Sequence, residues 1–66
     1  MNENDKAKFQ EVYRYMLYVK AMNEPREIQK AAREDFDKLS KKLVSAGVSP
    51  LILIAWTQLA RKAAQP

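Results

Sequence analysis

Leu43-Val44-Ser45-Ala46-Gly47-Val48-Ser49-Pro50-Leu51-Ile52-Leu53 holds the only glycine of a 66-residue chain. Read outward, this stretch decides the fold. A glycine just past the last apolar residue of a periodic run adopts the left-handed conformation that closes a helix end. Ser49-Pro50 then restarts the chain, with serine as the N-cap and proline as the first helical residue, where its missing N–H costs nothing. Two helices joined by so few residues form a hairpin or an L-shaped corner.

Upstream of Gly47, the spacing of Ile28, Ala32, Phe36, Leu39, Leu43 and Ala46 predicts a helix over 24–46, with Asn23 as its cap and Pro25 in its first turn. Glu34 with Lys38, and Asp37 with Lys41, are i,i+4 neighbours on its charged side. Downstream, Ile52, Trp56, Leu59 and Ala63 share one face of a helix over 50–64. Further upstream, Phe9, Val12, Tyr13, Met16 and Val19 predict a helix over 4–22, capped at Asn4 or Asp5. The fold class is therefore all-α: a compact three-helix domain, 1–66, with no strand. The expected core holds Phe9, Val12, Met16, Ile28, Phe36, Leu39, Leu43, Ile52, Trp56 and Leu59.

A chain of this size hides only about 60% of its extended surface, and such small cores are usually reinforced by disulfides, a metal or a partner subunit. Cysteine and histidine are both absent. Disulfides and the common zinc ligand sets are thereby excluded, and association is the reinforcement that remains. The polar N-terminus does not resemble a signal peptide. The longest strongly apolar run, Leu51 to Trp56, is far short of the ~20 residues a membrane span needs. A soluble, cytoplasmic protein is the expectation, with no membrane span.

No residue set points to a reaction. A histidine base and a thiol nucleophile are missing, and Ser40, Ser45 and Ser49 lack an activating base. One glycine cannot build a phosphate-cradling loop. Glu34, Asp35 and Asp37 are the densest acidic cluster, and its plain reading is a solvated helix face. Neither catalytic residues nor a metal site nor a cofactor is expected.

Twelve Lys and Arg against eight Asp and Glu give a net charge of +4. Residues 1–24 carry four of each sign, and no acid follows Asp37. The basic excess therefore belongs to the C-terminal half. Ala46-Gly47-Val48-Ser49 and the apolar helix after it resemble the turn of helix-turn-helix DNA-binding proteins, over roughly residues 39–59. In that family a glycine opens the turn, a small aliphatic residue follows, and serine often starts the recognition helix. The resemblance implies buried positions at Leu53 and Trp56, with Ser49 and Gln58 as the polar residues able to contact bases; the basic residues Lys41, Lys42, Arg61 and Lys62 complete the candidate nucleic-acid contacts. The sequence departs from the family at Leu43, where a small residue is usual. It departs again at the base-facing positions Pro50, Leu51, Ile54, Ala55 and Gln58, which are mostly apolar where base edges are read by polar side chains. Lys41 and Lys42, like Arg61 and Lys62, also sit where helix C-termini favour cations whatever the function.

The other feature is apolar surface in excess. Tyr15, Tyr18 and Met22 lie away from the Phe9–Met16 face of the first helix, and Leu51 and Ile54 lie away from Trp56 on the third. Three short helices cannot bury both sides of two of them, and Tyr and Met are favoured at protein contacts. These five residues are the expected protein interface. The resulting expectation is a small non-enzymatic regulator or adaptor, homodimeric, that binds a larger protein through the Tyr/Met-rich face. A dimeric helix-turn-helix regulator contacting nucleic acid is the rival, and peripheral membrane contact through the Leu51–Trp56 end is a third reading.

Overall fold

The first helix is the hub on which the other two pack. A computed structural model describes residues 3–64 as α1 (Glu3–Ala21), α2 (Arg26–Ser45) and α3 (Pro50–Ala64), with no strand among them. α1 lies against both α2 and α3, whereas α2 and α3 touch each other only sparsely. The Gly47 junction is therefore an open corner and not a tightly packed hairpin. The radius of gyration, 12.0 Å, exceeds the about 10.8 Å expected for a close-packed chain of this length.

Both junctions are closed by the same hydrogen-bond pattern. At the end of α2, Val48 N–H donates to the Leu43 carbonyl and Gly47 N–H to the Val44 carbonyl, each at 3.0 Å. Gly47 has φ +104°. This is the Schellman arrangement, in which a left-handed residue lets the chain satisfy the last helical carbonyls. Val48 follows it and packs on the core cluster that contains Leu43. Ser49 then caps α3, its Oγ accepting from Leu51 N–H at 3.2 Å.

The α1–α2 junction corrects one expectation. Asn23 does not cap α2. It has φ +53° and occupies at the end of α1 the place Gly47 holds at the end of α2. Glu24 N–H donates to the Val19 carbonyl at 3.0 Å and Asn23 N–H to the Lys20 carbonyl at 3.1 Å. Asparagine is the residue that best tolerates this conformation after glycine. Pro25 is the N-cap, outside the helix, so α2 begins at Arg26, two residues later than expected. Its carbonyl accepts from Ile28 and Gln29 N–H, and the Gln29 side chain donates to the Glu24 carbonyl at 2.7 Å.

The centre of the core is aromatic. Phe9 is 1% exposed. Its ring centroid lies 5.1 Å from Phe36 and 5.9 Å from Trp56, both tilted, and Tyr13 stands 5.5 Å from Phe36. Leu43 and Leu53 complete the buried cluster, with Leu39, Val48 and Ile52 packed around it. Val19 and Ala32 are also buried, as is Ala60. Two expected core residues are not. Ile28 is 40% and Leu59 51% exposed. Ile28 lies in the first turn of α2, at an end of the molecule that α3 does not reach. Leu59 lies on the edge of the α3 stripe, and α1 alone cannot cover that edge when α2 stands away. Val12 and Met16 are half-buried. The i,i+4 neighbours Glu34–Lys38 and Asp37–Lys41 do not close into ion pairs, and such pairs contribute only a few tenths of a kcal/mol on a helix.

Two polar bonds fix how α3 lies on α1. Gln10 Nε2 donates to the Trp56 carbonyl at 3.2 Å, and an Arg61 guanidinium nitrogen donates to the Tyr13 hydroxyl at 2.9 Å. Numbers rise together along both helices, so α3 runs in the same sense as α1. α3 has 15 residues against 19 and 20 for α1 and α2. It ends before the far end of the α1–α2 pair.

Candidate binding surfaces

Where α3 runs out, a cleft of about 950 Å³ opens between the C-terminal half of α1 and the N-terminal half of α2. Met16, Leu17 and Tyr13 line it from α1; the first two are half-buried and Tyr13 is buried. Lys20 joins them, Arg26, Lys30 and Arg33 come from α2, and Arg61 comes from α3. Five cations thus border one hollow, against a single acid, Glu27. None of the five has a carboxylate partner among the described residues, and Arg61 alone has a polar bond, to Tyr13. The α2 spacing explains the alignment: Arg26, Lys30 and Arg33 follow one another at i, i+4 and i+7, which is one flank of a helix. The N-terminus of α2 adds its own partial positive charge, since Pro25 provides no side-chain cap.

The expected interface residues are all exposed. Tyr15 and Tyr18 lie on the arc of α1 turned away from Phe9 and Tyr13, and Met22 follows in the turn just past the helix end, each a little over half exposed. Leu51 is 76% exposed, and Ile54 sits one turn further along α3. They lie on the arc turned away from Leu53, Trp56 and Ala60. Each patch faces away from the core that its own helix joins.

The residues named as nucleic-acid contacts are dispersed among different structural settings. Ser49 is half-buried and occupied as the α3 cap. Arg61 belongs to the cleft. Lys41 borders a small hollow with Ser40, Val44 and Ser45. Lys42, Gln58 and Lys62 are exposed. Leu53 and Trp56 are buried, as the helix-turn-helix resemblance implies, while the outward face of α3 between them is the apolar pair Leu51 and Ile54.

The cleft escaped sequence reasoning, although half its signal was present as the basic flank 26–30–33. Lys20 and Arg61 join that flank only through the fold. Among the described residues no group of three or more acidic side chains is placed to hold a metal ion, and no helix is long and apolar enough to cross a membrane. Comparison of the chain with family models, with curated proteins and with solved structures gives no match.

Proposed function

We propose that this chain is a non-catalytic docking module: a homodimer, joined through the outer face of α3, that regulates or adapts a larger protein gripped by the outer face of α1. The supporting observation is exposed apolar surface: Tyr15, Tyr18, Met22, Leu51 and Ile54 are each more than half exposed, and Tyr and Met are favoured at protein contacts.

The two patches suit different partners. Leu51, Ile54, Ala55 and Gln58 form a nearly uncharged stripe at helical spacing. Two copies of such a stripe pack against each other across a twofold axis. An antiparallel pairing keeps Lys62 of each copy far from its counterpart and opposes the helix dipoles. The Tyr15–Tyr18–Met22 patch, bordered by Glu11 and Arg14, offers rigid amphipathic rings with hydroxyls for a mixed polar and apolar partner.

The test is light scattering with capture. Wild type should be a dimer at micromolar concentration. Ile54→Asp should be a folded monomer, because the carboxylate would be buried without a partner. Lys38→Asp should change neither mass nor fold. Tyr18→Asp should remain dimeric and lose the protein that wild type captures from its own lysate. A wild type that stays monomeric, or an Ile54→Asp variant that stays dimeric, removes the homodimer.

The DNA-binding reading has one favourable observation: the turn at Gly47 and the burial of Leu53 and Trp56 match that pattern. The face α3 turns outward does not supply base-reading side chains. Steeply salt-dependent duplex binding that Ile54→Asp abolishes would reverse the order of the two readings.

A further inference from the structure

We propose that the cleft between α1 and α2 is an anion-recognition site whose ligand is an acidic peptide segment, with carboxylates spaced along it and one apolar side chain for its floor. This inference rests on the cleft alone and stands whether or not the outer helix faces bind anything. Charge complementarity is the first argument. Lys20, Arg26, Lys30, Arg33 and Arg61 converge on a hollow that holds one acid, with no carboxylate partner for any of the five among the described residues. Cations spread over a surface repel one another less than cations gathered at a hollow, so folding gains nothing from this placement. A ligand carrying negative charge relieves it.

Shape and chemistry select the peptide. The walls run from Tyr13 to Lys20 on α1 and from Arg26 to Arg33 on α2, about 10 Å each at 1.5 Å per residue. An extended peptide at about 3.3 Å per residue lays three to four residues along that length. Met16 and Leu17 give the floor an apolar strip for one of them. Three of the five cations are arginines, whose planar forks hold carboxylates in two-point contacts. Tyr13 also lines the cleft, and its hydroxyl accepts from Arg61.

Other anions fit less well. A compact phosphate calls for several backbone amides converging on one point. Here the free amides are those at the start of α2, and the Glu27 carboxylate stands at that same end. Single-stranded nucleic acid calls for an exposed aromatic platform. Among the described residues the one aromatic lining residue, Tyr13, is 5% exposed and tilted against Phe36. A duplex is a convex rod and meets only the rim of a 10 Å hollow (about that length by the helix rise).

Fluorescence anisotropy tests the assignment, using a short labelled peptide in which glutamates flank one leucine. Its glutamine counterpart, a labelled DNA duplex and unlabelled tripolyphosphate are run beside it. The glutamate peptide should bind and its glutamine counterpart should not. Arg33→Glu should weaken the peptide about tenfold or more, since one attraction is replaced by a repulsion. Lys62→Glu changes the net charge equally but lies outside the cleft, and should weaken it less than about threefold. Arg33→Gln should fall between the two, and circular dichroism verifies that each variant is folded. The proposal is overturned if the glutamate peptide fails to bind, or if Arg33→Glu and Lys62→Glu weaken it equally. It is also overturned if the duplex binds more tightly and loses that binding with Arg33→Glu, or if tripolyphosphate displaces the peptide at equal concentration.

Discussion

Replacing Gly47 with alanine isolates a single physical effect. A Cβ built at Gly47 meets nothing within 4 Å, so steric clash with the rest of the molecule contributes nothing. The backbone remains, held at φ +104° by two hydrogen bonds of 3.0 Å. An L-residue with a side chain is strained there by about 2 kcal/mol, and the stiffer unfolded chain returns about 0.5 kcal/mol, leaving a loss of ~1.5 kcal/mol. For a domain of this size each kcal/mol moves the Tm by roughly 4–8 °C, so Gly47→Ala should melt about 6–12 °C below wild type. Gly47→Asn should lose about half as much, because asparagine tolerates positive φ. Thermal melts followed by circular dichroism at 222 nm decide it (the wavelength being about that of the helix band). If alanine melts with wild type, or if alanine and asparagine fall equally, the left-handed turn is not what holds the corner in solution, and the open arrangement of α2 and α3 has another cause.

Phe9→Ala should cost about 3–5 kcal/mol, because Phe9 touches both Phe36 and Trp56 at the junction of the three helices. For a small domain that is enough to abolish the near-ultraviolet signal of Trp56, and a cooperative urea transition close to that of wild type would count against this core. Tyr13→Phe and Arg61→Gln should each lose about 0.5–1.5 kcal/mol, and the double variant should lose no more than the larger single loss, because both remove one hydrogen bond. Additive losses would mean that the bond is not formed in solution.

Much of this fold was legible because the punctuation is unambiguous. Gly47 and Ser49-Pro50 mark a stop and a start that few other conformations satisfy, and the Phe9–Val19 and Ala32–Leu43 stripes have helical spacing throughout. Spacing alone does not decide the remainder. Asn23 carries both a capping side chain and a tolerance for the left-handed region; the hydrogen bonds from Asn23 and Glu24 back into α1 decide between these roles. Ile28 and Leu59 belong to their apolar stripes, yet a stripe says which face is inside and not how far along it the neighbouring helix extends. The cleft was hidden for the same reason. Charge read along the chain put the basic excess in the C-terminal half, while the hollow draws Lys20 from α1, three residues from early α2 and Arg61 from α3. Helix length decides that gathering: α3 is too short to cover the end of the pair beneath it.

The position of α1 as hub also bears on the order in which the chain acquires its structure. Phe9 is made early, and Trp56, which completes its burial, is made 47 residues later by the numbering. α1 and α2 are able to pair through Phe9, Tyr13 and Phe36 before α3 exists, with local closure that costs little entropy. During that interval the α3-facing side of Phe9 and Tyr13 is open to water. Docking of α3 is then the last and most non-local step, the kind that sets the pace of folding in small domains. A nascent α1–α2 pair is thus the species in this protein most exposed to misassociation, because its unfinished face carries the same aromatic residues that the finished protein buries most deeply.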